Sequence, residues 1–242
     1  MPTIASARSW YPPSDPVHGF DHVLRVYHLA ERLALAEGAD LEIVRAAALL
    51  HDVDRGQVTV PSGSEQPSST DDTLFAIRNS PSPIINHKST ISNPRLAHHH
   101  TSASFAAHVL QAEGWPDDRI ALVQHCIRAH RFRDDREPPA TLEAQVLFDA
   151  DKLDAIGAIG VARAIGYAVG AGQPACAPVS PQFIETGQLS PGEPHSAYHE
   201  YIFKLRHIKE RMFTRSGREL AEVRHRLMSD FFERLREEME GQ

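Results

Sequence analysis

The sequence predicts an all-α protein that folds as a single helical domain over residues 1–242. Three observations lead to this prediction: apolar residues recur at helical spacing through most of the chain, capping residues and glycines bound these stretches, and no run alternates between apolar and polar residues as a strand would. The 242 residues are 41% hydrophobic and 24% charged, which is ordinary for a globular chain of this size.

The N-terminal part of the chain contains two predicted helices. The first is "DHVLRVYHLAERLALAEG", where apolar residues recur every three or four positions and Gly38 provides a stop. Asp40 can cap the second, "LEIVRAAALLH", which is apolar enough to be buried on most sides. The periodicity then ends. Residues 57–94 are rich in Ser, Pro, Thr and Asn, and we predict a lid or flexible insertion there, with one short helix near "DDTLFAIRN".

Helical periodicity resumes in the C-terminal part. "HHHTSASFAAHVLQAEG" should end at Gly114, Pro116 should open the next helix, and Thr141 should cap "TLEAQVLFDADKLDAIG". A glycine-interrupted helix, "AIGVARAIGYAVG", follows, and residues 171–192 are predicted to be a loop. Two long helices within residues 195–240, "HSAYHEYIFKLRHIKERMF" and "GRELAEVRHRLMSDFFERLREEMEG", are expected to pack on the same domain, with four phenylalanines in the core: Phe203, Phe213, Phe231 and Phe232.

Charge and composition exclude several classes of function. A net charge of −7 makes a surface for extended nucleic acid unfavourable. Two cysteines cannot form a disulfide framework, the N-terminus lacks the apolar segment of a signal peptide, and no run reaches membrane-spanning length. We therefore expect a soluble cytoplasmic protein without a membrane partner.

An imidazole and a carboxylate, His51 and Asp52, interrupt the apolar run "RAAALLHDVDRG". Burying this pair costs several kcal/mol, on the order of 3–5, unless a partner compensates. Nitrogen and oxygen ligands together suit Mn²⁺, Fe²⁺, Co²⁺, Ni²⁺ or Zn²⁺ better than Ca²⁺. Taken alone, the dipeptide is weak evidence for a metal, and a helix-capping histidine followed by an N-cap aspartate explains it better. Two further features strengthen the metal reading: His22 opens the first long helix, and Asp151 lies in an acidic cluster on an otherwise apolar helix.

Taken together, these motifs resemble a known family. His22 in "DHVLRV", His51-Asp52 in "LLHDVDRG" and Asp151 in "FDADKLDAIGAIG" match the ordered H…HD…D signature of the HD-domain metal-dependent phosphohydrolases. The similarity is closest to the bacterial branch of small nucleotide pyrophosphatase-like proteins, and it extends over most of the chain. It implies a helical HD fold in which these four side chains bind one divalent ion, with Mn²⁺ expected first and Mg²⁺, Fe²⁺, Co²⁺, Ni²⁺ or Zn²⁺ as alternatives.

The resemblance also implies roles for other residues. A divalent ion lowers the pKa of bound water and polarises a phosphoryl oxygen. Histidines must be neutral to bind such an ion, so activity should fall below about pH 6. Catalytic roles are assigned to Asp52, Asp54 and Lys152. Substrate contacts are assigned to a larger set, namely Arg25, Arg55, His98, His99 and His130. A turn salt bridge, a solvated lysine or a hydrogen-bonded core histidine is the structural alternative for these groups.

The function predicted from these features is hydrolysis of small phosphorylated substrates, above all nucleotides. Either a nucleoside triphosphate is cleaved to monophosphate and pyrophosphate, or a nucleotide is dephosphorylated, and a homodimer is an option that the sequence leaves open. One alternative is a two-metal HD phosphodiesterase, in which His98 or His99 and His130 complete a second site. Another is a non-catalytic nucleotide-binding HD module. Metal content per chain and binding without turnover distinguish these alternatives.

Overall fold

A computed structural model describes residues 1–11, 19–53, 94–131 and 137–242. Over these residues the chain forms ten α-helices and one 3₁₀ helix and no β-strand, which confirms the predicted all-α fold. The α-helices are α1 (Ile4–Arg8), α2 (Phe20–Glu37), α3 (Leu41–Leu50), α4 (Pro94–Ala112), α5 (Asp117–Ala129), α6 (Leu142–Leu153), α7 (Gly157–Gly170), α8 (Pro181–Thr186), α9 (Ala197–Phe203) and α10 (Arg215–Met239). The 3₁₀ helix spans Leu205–Arg211, between α9 and α10. The insertion predicted over residues 57–94 lies outside the described residues, apart from Pro94.

Local sequence signals set the ends of the central helices as predicted. Gly38 ends α2 in the left-handed conformation, with a φ of 77° that favours glycine. The side chain of Asp40 then accepts hydrogen bonds from the backbone N–H groups of Glu42 and Ile43 and caps α3. Thr141 caps α6 in the same way, through the N–H of Ala144. These caps fix where the ends of α3 and α6 lie, and both ends carry candidate ligands.

The main core lies where α2, α3, α5 and α6 pack against one another, with α4 on the outer side of α5. Their inward faces carry aliphatic side chains that are at most 1% exposed, among them Val23, Leu33, Ile43, Leu50, Ile127 and Leu147. Burying side chains of this kind contributes about 1.5–3 kcal/mol each. This packing brings the start of α2, the end of α3 and the last turn of α6 to one end of the bundle.

A buried carboxylate attaches the C-terminal helix to this core. Asp149, on α6 and fully buried, accepts hydrogen bonds from the backbone N–H of Phe213 at 2.9 Å and from the N–H and hydroxyl of Thr214 at 2.8 and 2.6 Å. Gly217 lies against it, and a Cβ there would be 2.3 Å from Asp149 Oδ2. The start of α10 is therefore fixed to α6, and α10 continues across α2 and α7.

The turn between α6 and α7 depends on two glycines. Gly157 opens α7 with a φ of 76°, a conformation that other residues rarely adopt. One turn later, a Cβ at position 160 would lie 2.3 Å from the carbonyl oxygen of Ala155, so Gly160 lets α7 approach the turn closely. The backbone of residues 154–160 is therefore tightly folded where α6 meets α7.

The structure corrects the prediction for residues 171–192, which contain the short helix α8. Ser180 caps it through the N–H of Phe183, Pro181 is its first residue, and Gly187 ends it with a φ of 71°. Proline at the first position and glycine after the last are typical of a helix, because the former needs no N–H and the latter tolerates a left-handed backbone. The same two residue types are also common in loops, which is why the composition of this stretch predicts one.

The predicted long helix over residues 195–213 is also wrong, because it breaks at Lys204 into α9 and the 3₁₀ helix. Leu205 and Ile208 are both buried at a spacing of three residues, which matches the three-residue turn of a 3₁₀ helix. Of the four phenylalanines expected in the core, Phe232 is fully buried and Phe213 partly buried, but Phe203 and Phe231 are 36% and 40% exposed.

Within the described residues, no single helix is both long and apolar enough to cross a membrane. The pair formed by α6 and α7 has the length and apolar composition of a membrane span, but the two helices are bent by 58° relative to each other.

Candidate metal centre

The end of α3 presents a buried imidazole with one free nitrogen. His51 is the C-cap of α3 and is fully buried, and its Nδ1 lies 2.8 Å from the carbonyl oxygen of Ala48. A carbonyl can only accept, so Nδ1 carries the proton and Nε2 carries the lone pair. Nε2 is buried and has no hydrogen-bond partner among the described residues. Burial also lowers the pKa of His51, which keeps the ring neutral. A neutral, desolvated nitrogen of this kind is suited to binding a cation.

Two further side chains share this space with His51. One ligand atom each from His22, His51 and Asp52 lies within 4.8 Å of the other two. The rings of His22 and His51 meet edge to face, with centroids 5.5 Å apart. Two imidazole nitrogens and a carboxylate oxygen form a donor set that fits a divalent transition-metal ion. The structure thus brings together three of the four predicted ligands from two distant parts of the sequence.

The fourth predicted ligand, Asp151, lies at the edge of this group. Its Oδ1 is 3.4 Å from His22 Nε2, while its Oδ2 is 2.6 Å from the Nζ of Lys152. Burial opposes ionisation of Asp151, but Lys152 and the hydrogen bond to His22 outweigh it, and they hold the pKa of this carboxyl well below its usual range. The carboxylate is therefore ionised beside His22, which makes it a candidate ligand.

His22 is held from behind by a second buried aspartate. Asp154 Oδ2 lies 2.7 Å from His22 Nδ1, and the side chain of Asp154 is only 1% exposed. Burial alone would lower the pKa of His22, but the hydrogen bonds to Asp151 and Asp154 overcome this effect and raise it to about 9. A carboxylate behind a ligating histidine fixes the tautomer and the orientation of the ring. Asp154 belongs to the same acidic cluster of the sequence as Asp151, three residues further along the chain.

Two arginines, one on α2 and one on α7, bind the Asp154 carboxylate. Arg25 contacts Oδ1 through Nε at 2.7 Å and Oδ2 through a terminal nitrogen at 3.0 Å. Arg163, on α7, donates to Oδ2 at 2.6 Å and to the backbone carbonyl of Asp154 at 3.2 Å. The resemblance predicts a substrate contact for Arg25, whereas the structure places its guanidinium on Asp154. As the one charged residue in the apolar helix α7, Arg163 could have been noticed.

His130, at the end of α5, and Lys152, on α6, lie beside the cluster. The ring of His130 meets that of His51 edge to face at 5.2 Å, and burial lowers the pKa of His130 to about 3. Lys152 Nζ lies 3.1 Å from the carbonyl oxygen of His130. On α4, Ser102 donates to the carbonyl of Val53 at 3.2 Å, so the turn that carries His99 lies close to the end of α3.

Other predicted residues cannot be placed. Asp54, Arg55 and the side chain of His98 lie outside the described residues. His99 is partly buried, and its ring centroid lies 4.2 Å from that of His100.

Comparisons with known proteins agree with this architecture. The family model described as HD domain matches residues 19–156, which include His22, His51, Asp52 and Asp151. The chain is 31% identical to YpgQ of Bacillus subtilis over 227 residues, which cover 93% of this chain and 85% of YpgQ.

Solved structures give the same result. The crystal structure of Bacillus subtilis YpgQ in complex with ADP is 27% identical, with a TM-score of 0.62 and coverage of 98% of this chain and 97% of that one. A structure from Lactobacillus plantarum is 26% identical, with a TM-score of 0.65 over the whole of both chains. An HD-superfamily hydrolase from Bacillus thuringiensis shares the fold, with a TM-score of 0.66 at 23% identity and coverage of 99% of this chain and 95% of that one. The protein therefore belongs to the HD domain family.

Proposed function

We propose that this protein is a divalent-metal-dependent phosphohydrolase that acts on nucleotides. The observation that carries the proposal is the Nε2 atom of His51, which is buried without a hydrogen-bond partner among the described residues and faces His22 and Asp52. Leaving such an atom unsatisfied costs about 1–3 kcal/mol. A cation bound to Nε2 of His51 would compensate for this cost and would account for a polar atom at a buried position.

His22, His51, Asp52 and Asp151 are the residues that would hold the ion, and we propose Mn²⁺ as the first candidate. The ion would supply Lewis acidity, polarising a phosphoryl oxygen and making water more acidic. Asp52 is only partly buried, so its carboxylate can also accept a hydrogen bond from the attacking water. The side chain of Lys152 is 21% exposed beside Asp151, where its charge can offset charge that develops on the phosphoryl group.

The nucleotide substrate is proposed from a relative. YpgQ of Bacillus subtilis was crystallised with ADP, and this chain is similar to YpgQ over nearly its whole length. A nucleoside triphosphate cleaved to monophosphate and pyrophosphate is our first proposal, and removal of a terminal phosphate is the second. The homodimer stays an option, as the sequence leaves it.

A substrate screen tests the proposed function. With Mn²⁺ present, nucleoside triphosphates should be hydrolysed, and ³¹P NMR of the products should show pyrophosphate for the first proposal or orthophosphate for the second. Excess EDTA should stop the reaction, and metal analysis should give about one ion per chain. Two ions per chain would favour the phosphodiesterase alternative. Tight nucleotide binding without turnover, with Mn²⁺, Mg²⁺, Co²⁺ and Ni²⁺ each tested, would contradict hydrolysis and favour the non-catalytic module.

Mn²⁺ binding should depend on pH up to about pH 9, because the pKa of His22 in the metal-free protein is raised to about 9. Between pH 6.5 and 8.5, His22 must lose its proton before it can bind the ion, so the apparent Kd should fall about tenfold per pH unit. His51, whose pKa is lowered, contributes no further proton in this range. Calorimetry in buffers of different ionisation enthalpy should therefore show about one proton released at pH 7.5.

An ordinary histidine, which the expected loss of activity below about pH 6 assumes, would behave differently. With a pKa near 6.5, it would make the affinity nearly constant above pH 7.5. A binding enthalpy that does not depend on the buffer would therefore contradict the raised pKa of His22. The raised pKa of His22 also means that protonation of His22 stabilises the metal-free fold. This stabilisation is fully present below about pH 6.5 and is lost as pH rises through about 9.

A further inference from the structure

The carboxylate of Asp154 is almost completely enclosed by charged groups. Arg25, Arg163 and His22 together contact both of its oxygens, at 2.6 to 3.0 Å, and the carboxylate is 1% exposed. Its own backbone carbonyl accepts a further bond from Arg163. A buried carboxylate with this many donors has its position and its rotation fixed, because each oxygen is bound from a different direction.

The two arginines reach Asp154 from different parts of the fold. Arg25 lies on α2, one turn after His22, while Arg163 comes from α7 across the tight turn that follows α6. The carboxylate is therefore clamped between the helix that carries His22 and the helix that follows Asp151. Any rotation of the His22 ring would break its 2.7 Å contact with a carboxylate that cannot follow it.

We propose that Arg25 and Arg163 are positioning residues, which act through Asp154 to hold the His22 ring with Nε2 directed at the ligand cluster. This inference rests on the metal-dependent function proposed above. It gives Arg25 a different role from the substrate contact that the sequence predicted. Nε and one terminal nitrogen of Arg25 are engaged with the two oxygens of Asp154, and its side chain is only one-third exposed.

The sign of the effect on metal binding separates positioning from simple charge. Removing a nearby positive charge should strengthen the binding of a dication to the site with His22 neutral, because it removes repulsion. Arg163 also lowers the pKa of His22, so the Kd values that are compared are corrected for the proton that His22 releases on binding. Removing a positioning residue should weaken it, because His22 is no longer held in the orientation that binding requires. A substrate-binding arginine has a third signature, since its loss raises KM for the nucleotide and does not weaken metal binding.

The experiment measures Mn²⁺ binding by calorimetry, without nucleotide, for the wild type and the Arg25→Gln and Arg163→Gln variants. Each variant should bind Mn²⁺ about tenfold more weakly, the lower limit for residues that support a metal ligand. At saturating Mn²⁺, KM for the nucleotide should be unchanged. Arg25→Lys, which keeps the charge but loses the paired donors, should recover part of the affinity.

The matched control is Arg45→Gln. Arg45 is 34% exposed, against 33% for Arg25, and pairs with Glu31 on α2 without contacting His22. Its Mn²⁺ affinity should equal that of the wild type. Arg25→Gln binding Mn²⁺ as tightly as the wild type, or more tightly, would overturn the positioning role. A wild type that binds none of Mn²⁺, Mg²⁺, Co²⁺ and Ni²⁺ would instead overturn the proposed function. If Arg163→Gln fails to fold, Arg25→Gln alone decides, since Arg25 is the more exposed of the two.

Discussion

Replacing His51 with leucine should abolish Mn²⁺-dependent hydrolysis while leaving the metal-free protein at least as stable as the wild type. The buried Nε2 atom without a partner costs about 1–3 kcal/mol, and leucine of similar volume removes it. The lost hydrogen bond from Nδ1 to Ala48 costs about 1 kcal/mol in return. Turnover should fall by more than the roughly 100-fold that marks the upper limit for residues behind the ligands.

Thermal unfolding with and without Mn²⁺ checks both parts of this prediction. The wild type should gain stability from Mn²⁺, because an ion that binds only the folded state shifts the equilibrium towards it, and the variant should gain none. The control is His108→Leu, because His108 Nδ1 makes the same kind of bond to a carbonyl one turn earlier, at 2.7 Å from Ser104, on an exposed face. A His51→Leu variant that Mn²⁺ still stabilises would show that His51 is not a ligand.

Replacing Asp149 with alanine should cost about 3 kcal/mol of unfolding free energy or more, because at least two buried donors at the start of α10 each lose about 1–3 kcal/mol with their acceptor. Urea unfolding gives this value directly. Asp149→Asn keeps the shape and one acceptor oxygen and should cost less. Burial raises the pKa of Asp149, so its ionised form is not favoured by the site, and a neutral amide loses little on that account.

An exposed aspartate on α10 provides the control for Asp149. Asp230→Ala should change the unfolding free energy by no more than about 0.5 kcal/mol, as is usual for a surface substitution. An Asp149→Ala variant as stable as Asp230→Ala would mean that the start of α10 does not depend on this carboxylate.

Much of the fold could be predicted because the decisive signals are local. The end of α2 at Gly38 and the start of α3 at Asp40 follow from backbone preferences of single residues. The gathering of His22 with His51 and Asp52 could not be derived this way, because spacing along a chain says nothing about which helix ends meet. It was expected from a resemblance between motifs.

Other features were missed because their effect depends on a distant partner. Arg25 could be assigned to substrate as easily as to Asp154, which lies 129 residues later in the chain and forms its ion pair only once α2 and α6 have packed. Arg163 is a lone charge on an apolar helix, and its meaning becomes clear only beside the same carboxylate. For α8, proline and glycine are also common in loops, and only their positions at the start and just after the end of six residues indicate a short helix.

Gly160 shows how far selection on such a centre would extend. It has no side chain to offer an ion or a nucleotide, yet an alanine there would place its methyl group 2.3 Å from the Ala155 oxygen, so the turn between α6 and α7 would have to shift. Arg163, three residues further on, would move with α7. In a population under selection for hydrolysis, substitutions of Gly160 should therefore be eliminated almost as strictly as substitutions of the ligands themselves.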